Sequence, residues 1–170
     1  METKQKGTVV WLTGLSGAGK STISLAISER LDKDGIAHVI LDGDQLRKIF
    51  PKTGFSKEDR DMHVKRVGSV AALLAEHVPV ILCALISPYV EARALARNEC
   101  DNFIEVYVKC PIDVCIERDV KGLYKKAISG EIKQFTGISD PYEEPEEPEL
   151  ILDTSTLSID ECVEKILKKI

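Results

Sequence analysis

The chain has 170 residues, of which 44% are hydrophobic and 30% charged, and its net charge is −5; that is the balance of an ordinary globular domain with material for one substantial core. Its acidity excludes recruitment of nucleic acid or an anionic membrane by overall charge, so a bound anion has to be held by a local basic site. No apolar run approaches ~18 residues and the opening METKQKGTVVW lacks a signal-peptide layout, so the cytoplasm is the expected compartment and 1–170 a single domain.

Thr8 to Thr13 (TVVWLT) reads as a buried strand. Directly after it comes GLSGAGKST, residues 14 to 22, which fits the phosphate-cradling pattern G-x-x-x-x-G-K-S/T. Gly14, Leu15, Ser16, Gly17, Ala18, Gly19, Lys20, Ser21 and Thr22 are therefore the expected ATP-binding residues. Glycines let successive backbone N–H groups turn inward, and the helix that follows adds partial positive charge at its start. Lys20 is placed to reach the β- and γ-phosphates and the Ser21 hydroxyl to ligate Mg²⁺. That helix runs from Lys20 to Lys33, with Ile23, Ala26, Ile27 and Leu31 on one face and Gly35 closing it.

His38 to Leu41 is a second strand, ending in Leu41-Asp42-Gly43-Asp44. At the end of a strand beside a phosphate site, Asp42 and Asp44 are candidates to orient Mg²⁺ through water or to take a proton from an attacking hydroxyl; a turn that simply prefers Asp is the plainer alternative. Pro51 to Asp61 is polar and irregular, with Gly54 and Phe55 inside it. Met62 to His77 spaces Val64, Val67, Ala71 and Leu74 as a helical stripe. Val78–Leu85, Phe103–Lys109 and Leu150–Leu152 read as three more strands. The chain closes on a helix that starts at the capping box Ser158/Glu161 and keeps Ile159, Cys162, Val163, Ile166, Leu167 and Ile170 on one face. Between the last two strands, Lys121 to Pro148 is long and rich in Lys, Gly, Glu and Pro, and by pattern buries few apolar side chains. Long ordered loops are usually functional, and this one is expected to be a mobile lid. Strands alternating with helices mean an α/β fold, a parallel sheet with helices on both faces and ligands at the carboxyl ends of its strands. Five cysteines without a C-x-x-C pair read as small buried thiols.

A P-loop does not say what accepts the phosphate. Arg47 and Arg60 flank the irregular segment holding Phe55, while Arg118 and Lys121 open the one holding Phe135. The chain has only nine aromatic residues, so phenylalanines in two polar loops suggest two faces for a planar base whose anionic tail meets the arginines. A loop phenylalanine that tucks into the core is the competing reading.

The stretches WLTGLSGAGKST, LDGDQLR, GFSKEDR, ALISPYVEAR, RDVKGLYKKA and GEIKQFTGISDPYEEPEEPEL, in this order and spacing over most of residues 9 to 153, resemble adenylylsulfate (APS) kinase. The resemblance implies a P-loop kinase that moves the ATP γ-phosphate to the 3′-hydroxyl of adenylyl sulfate, usually as a homodimer and with a functional link to ATP sulfurylase. It implies that Asp44 and Arg47 contact the acceptor, that Phe55 and Phe135 sandwich its adenine, with Gln134 beside them, and that Arg60 and Lys121 bind its phosphosulfate. The Ile86-Ser87 turn would lie against it. Ser87 is the family's proposed phosphorylated serine, although in-line transfer requires no covalent step. The chain departs from the family's usual Glu-Asn pair with Met62 and His63, and from a usual arginine with Ile128. Near the acceptor's anion, His63 is expected to gain a proton and to bind more tightly as pH falls. A P-loop kinase for another small alcohol or nucleotide, and a nucleotide-binding module acting through a partner, are the alternatives.

Overall fold

The computed structural model describes residues 6–51 and 53–170. Five strands form one parallel sheet in the order β2-β3-β1-β4-β5, with β1 Thr8–Thr13, β2 His38–Asp42, β3 Val80–Ala84, β4 Asn102–Lys109 and β5 Leu150–Asp153. Alternating side chains of each strand enter opposite cores, as the two-residue period requires. Val10, Leu12, Leu82 and Val106 pack under helices α1 (Lys20–Lys33) and α7 (Ile159–Leu167); Val9, Trp11, Ile81 and Cys83 pack under α3 (Lys57–Ala75) and α4 (Val90–Asn98). Central strands buried on both faces account for the unbroken apolar runs read from the sequence. All five strands are parallel, so their carboxyl ends share one edge.

Several boundaries differ from expectation. The segment 51–61 is irregular only in its first half. Ser56 caps α3 through a reciprocal capping box with Asp59, so the helix starts at Lys57 rather than Met62. Three short helices lie outside the elements expected from the sequence: α2 (Gly43–Ile49), α5 (Ile112–Arg118) and α6 (Leu123–Ile128). The α4 helix is a further addition to them.

The largest correction concerns 121–148. Tyr124, Ala127 and Phe135 from this segment belong to the α1-side core, so it is not poor in buried apolar groups. Its later part is a strap stitched to the body: Tyr142 stacks on Tyr107, Glu143 N donates to Pro88 O at 2.8 Å, and Arg97 holds the carboxylate of Glu149, just beyond it, at 2.7 and 2.8 Å. All five cysteines are free, and four are buried. Among the described residues no helix is long and apolar enough to cross a membrane.

Candidate active site

β1 runs straight into the P-loop. Gly14 takes φ 155°, and a Cβ there would strike the Val108 carbonyl of the neighbouring strand, so the loop leaves the sheet only through glycine. The loop closes on Gly19, the left-handed N-cap of α1. Lys20 Nζ donates to the carbonyls of Gly14 (2.8 Å) and Leu15 (2.7 Å), lying back across the cradle. Burial pushes its ammonium down to about 8, with Asp44 pulling the other way. The Ser21 hydroxyl donates to Asp42 Oδ2 at 3.3 Å.

Asp42 divides its carboxylate. Oδ1 accepts from Asp44 N and Gln45 N at 3.0 Å each, capping α2, while Oδ2 faces Ser21. Gly43 between the two acids is pressed against the sheet: a Cβ would come within 2.6 Å of Leu85 Cβ. Asp44 is thereby turned outward to pair with Lys121. Burial works to raise the Asp44 pKa, but the Lys121, Lys20 and Arg47 charges outweigh it and hold the carboxyl below its ordinary value.

These groups share a cavity of about 780 Å³, a volume that suits a sizeable organic ligand. Residues 16–22 of the P-loop, Asp42 and Asp44 line its middle. Phe55, Arg60, Ile86, Lys121, Gln134 and Phe135 line one end. The two phenylalanines belong to separate loops, and Arg60 ties those loops together: its Nε donates to Phe55 O at 2.9 Å and its Nη2 to Gln134 O. Phe55 is 53% exposed, whereas Phe135 is buried edge-on against Tyr124, ring centroids 5.0 Å apart.

Five expected residues, Gly14, Leu15, Arg47, His63 and Ser87, do not line this cavity. Arg47 sits behind Phe55, its guanidinium 4.7 Å from the ring centroid and bonded to Gly54 O at 2.7 Å, so it props the ring. His63 is 2% exposed; its Nε2–H donates to Gly43 O at 3.1 Å, and Nδ1 has no partner among the described residues. Burial first, then the Arg47 charge, lowers its pKa to about 4. The expectation of a protonated imidazole facing an anion is therefore corrected: His63 is a neutral brace beneath the Asp42–Asp44 turn. Ser87, expected as a catalytic residue, is 3% exposed and faces inward. Its Oγ accepts from Trp11 Nε1 at 3.1 Å and donates to Thr13 Oγ1 at 3.0 Å, while Thr13 donates to Ile86 O at 2.7 Å. Gly14 and Leu15 instead contribute their carbonyls to Lys20.

The other end of the cavity differs from expectation: Arg118, which the sequence sets with Lys121 on the acceptor side, is held instead against Gly17 and Thr154. Thr154 and Leu157, in the turn after β5, line it with Arg118. Thr154 Oγ1 donates to Ala18 O at 2.6 Å, and Arg118 donates to Thr154 O at 2.8 Å, which fixes this turn to the P-loop. The usable signal was its place at the carboxyl end of a strand. Trp11 and Thr13 were also missed as polar groups, although a buried indole N–H needs an acceptor.

The family profile described as adenylylsulphate kinase matches residues 6–153. The adenylyl-sulfate kinase of Rippkaea orientalis is 51% identical over 168 residues, 98% of this chain and 93% of that protein. The structure of the Mycobacterium tuberculosis APS kinase in complex with AMPPNP and APS superposes with a TM-score of 0.92 at 42% identity, covering 96% of both chains. The hexameric APS kinase of Thiobacillus denitrificans superposes with a TM-score of 0.71 at 35% identity, covering 98% of this chain and 29% of that one.

Proposed function

Because the chain belongs to the adenylylsulphate kinase family, we propose that the cavity around its P-loop is where an ATP-dependent adenylyl-sulfate kinase brings its two substrates together, making 3′-phosphoadenylyl sulfate in sulfate assimilation. The observation that supports this most is the Arg60 bridge, which presents Phe55 and Phe135 to one end of a cavity whose middle is the P-loop. ATP phosphates lie along residues 14–22, with the nucleoside toward Arg118, Thr154 and Leu157. The acceptor's adenine lies between Phe55 and Phe135, and Arg60 and Lys121 meet its phosphosulfate.

Transfer is in line. The acceptor's 3′-oxygen forms a bond to the γ-phosphorus while the bond to the β–γ bridging oxygen breaks, ADP departs, and the hydroxyl proton passes to the Asp44 carboxylate. Asp44, held ionised by its basic neighbours, accepts that hydroxyl's hydrogen bond and orients it. Lys20 releases the loop carbonyls and follows the charge building on the transferring group. Ser87 takes no covalent part, because its hydroxyl is committed to Trp11 and Thr13. The hard-oxygen pair Ser21 and Asp42 fits Mg²⁺ arriving with the nucleotide; among the described residues no cluster of three or more His, Cys, Asp or Glu forms an all-protein metal cage. Such a site, one or two protein oxygens plus phosphates, is the usual one for Mg²⁺, which would neutralise phosphate charge.

The same reading makes the largely exposed stretch 128–134 the mobile part of the expected 121–148 lid over the acceptor, places the protein in the cytoplasm as one domain, and assigns it a homodimer with a functional link to ATP sulfurylase. ADP release coupled to a spectrophotometric assay, with adenylyl sulfate against a panel of other small alcohols and nucleotides, tests the assignment. Turnover confined to adenylyl sulfate is expected. Turnover only with another acceptor would replace it, and ATP binding without ADP formation would demote the chain to a binding module.

A further inference from the structure

Ser87 is held at φ 41°, a left-handed backbone that persists in an L-residue only where its surroundings over-determine it. Its side chain is held by Trp11 and Thr13. Its carbonyl is held by Arg93, whose Nη1 donates to it at 2.6 Å. Arg93 is only 2% exposed and uses its whole fork. Nε donates to Glu105 Oε1 on β4 at 2.8 Å, and Nη2 donates to Glu143 O on the strap at 2.8 Å. The strap answers at two more points. The Glu143 carboxylate accepts from Val90 N at the start of α4 (2.7 Å), and the Tyr142 hydroxyl lies 2.9 Å from Thr13 Oγ1. Asp140, where the strap begins, lies 3.9 Å from Arg60.

Two walls of the acceptor end, Ile86 and Arg60, thus hang on one strap. The P-loop end is anchored by a separate set, Thr154 and Arg118. We propose that Arg93 is a positioning residue for the acceptor: by joining Ser87 O, Glu105 and Glu143 O it sets the Ile86-Ser87 turn on the cavity wall, and it does so only when the strap is seated. A planar guanidinium spreads its donors over three nitrogens in a rigid fork and so spans three separated acceptors, whereas an ammonium offers its three donors from a single atom on a flexible stem. Glu105 keeps the guanidinium paired, so the bonds to the two carbonyls come without an unpaired buried charge. This inference rests on the reading of that end as the adenylyl-sulfate site.

The test is steady-state kinetics with both substrates varied, together with thermal midpoints, for the parent, Arg93→Lys and Tyr142→Phe. Arg93→Lys keeps a cation beside Glu105 but loses the fork. Its KM for adenylyl sulfate is expected to rise about tenfold, the effect of losing one charge-assisted hydrogen bond, while KM for ATP stays within about twofold. Tyr142→Phe keeps the strap's ring and removes its bond to Thr13, the residue that holds Ile86 O and the Ser87 hydroxyl, so it shifts acceptor KM in the same direction by about threefold and carries the test if Arg93→Lys does not fold. A merely structural role would lower the thermal midpoint and move both KM values together, and that result overturns the inference. Unchanged acceptor KM in both variants of an active parent overturns it as well. A parent that forms no ADP with adenylyl sulfate sinks the functional reading first, and this inference with it.

Discussion

Nucleotide affinity is expected to fall about tenfold between pH ~7 and pH ~9 because of Lys20. In the free protein the Lys20 ammonium is buried against the Gly14 and Leu15 carbonyls, and burial brings its pKa down to about 8. A polyphosphate beside it favours the charged form and raises that value again. At pH ~7 the ammonium is already present and binding costs no proton. At pH ~9 only about a tenth of the free protein carries it, so binding has to take up a proton, and each pH unit above about 8 costs ~1.4 kcal/mol. The phosphates, with a last pKa near ~6, stay ionised throughout. Isothermal titration with the non-hydrolysable AMPPNP in two buffers of different ionisation heat reads both quantities: the rise in Kd, and an uptake approaching one proton per nucleotide at pH ~9. Lys20→Met should bind weakly at every pH and show neither. A parent Kd constant within about twofold across the range, with no proton uptake, refutes the reasoning. The same shift sets the sign for stability: between about 8 and 10.5 the unfolded chain holds more protons than the folded one, so this group favours the fold increasingly as pH rises through that window.

The remaining predictions concern the acceptor side. Ser87→Ala strands the Trp11 indole N–H and is expected to lower stability by about 1–3 kcal/mol while phosphoryl transfer continues; stoichiometric phosphate on Ser87 by mass spectrometry with ATP alone, chased to product by adenylyl sulfate, overturns this. His63, with a pKa lowered to about 4, binds no proton in the folded state until well below the 6.5 of the unfolded chain, so stability is lost as pH falls through that interval, by about 2 kcal/mol between pH ~7 and ~5. Urea titrations should show that loss in the parent and not in His63→Asn, and identical slopes would discard the account; acceptor affinity should be flat between pH ~8 and ~6. In hydrogen exchange, the largely exposed stretch 128–134 should exchange readily in the free protein and become protected when ADP and adenylyl sulfate bind together, while the core residues Tyr124 and Phe135 stay protected in both states, as do 140–149 because their bonds to α4 and β4 do not depend on ligand. Equal protection of 128–134 in both states removes the lid.

Local signals made the phosphate end legible. The run TVVWLT followed by GLSGAGKST carries strand, glycine cradle and helix start within fifteen consecutive residues, and each instruction is read from near neighbours. The same holds for the capping box of α7, and for the five apolar runs whose alternation with helices implies a parallel sheet. The α3 start was equally local, in Ser56 and Asp59, but its first turn is polar and faces water, so the apolar period does not announce it. What the tertiary structure decided is which polar side chains face the cavity. Arg93, Ser87, Glu105 and Glu143 meet from four separate segments, and nothing in their own neighbours distinguishes a buried fork from a solvated charge. Likewise, the pattern around His63 assigns it to a helix, but only the packing of Gly43, Phe50 and Arg47 around it makes it a neutral brace instead of a charged contact. Backbone periodicity is written in nearest neighbours; desolvation and the partners of a buried polar group depend on the whole fold, because they are set by what lies across the sheet and not by what comes next in the chain.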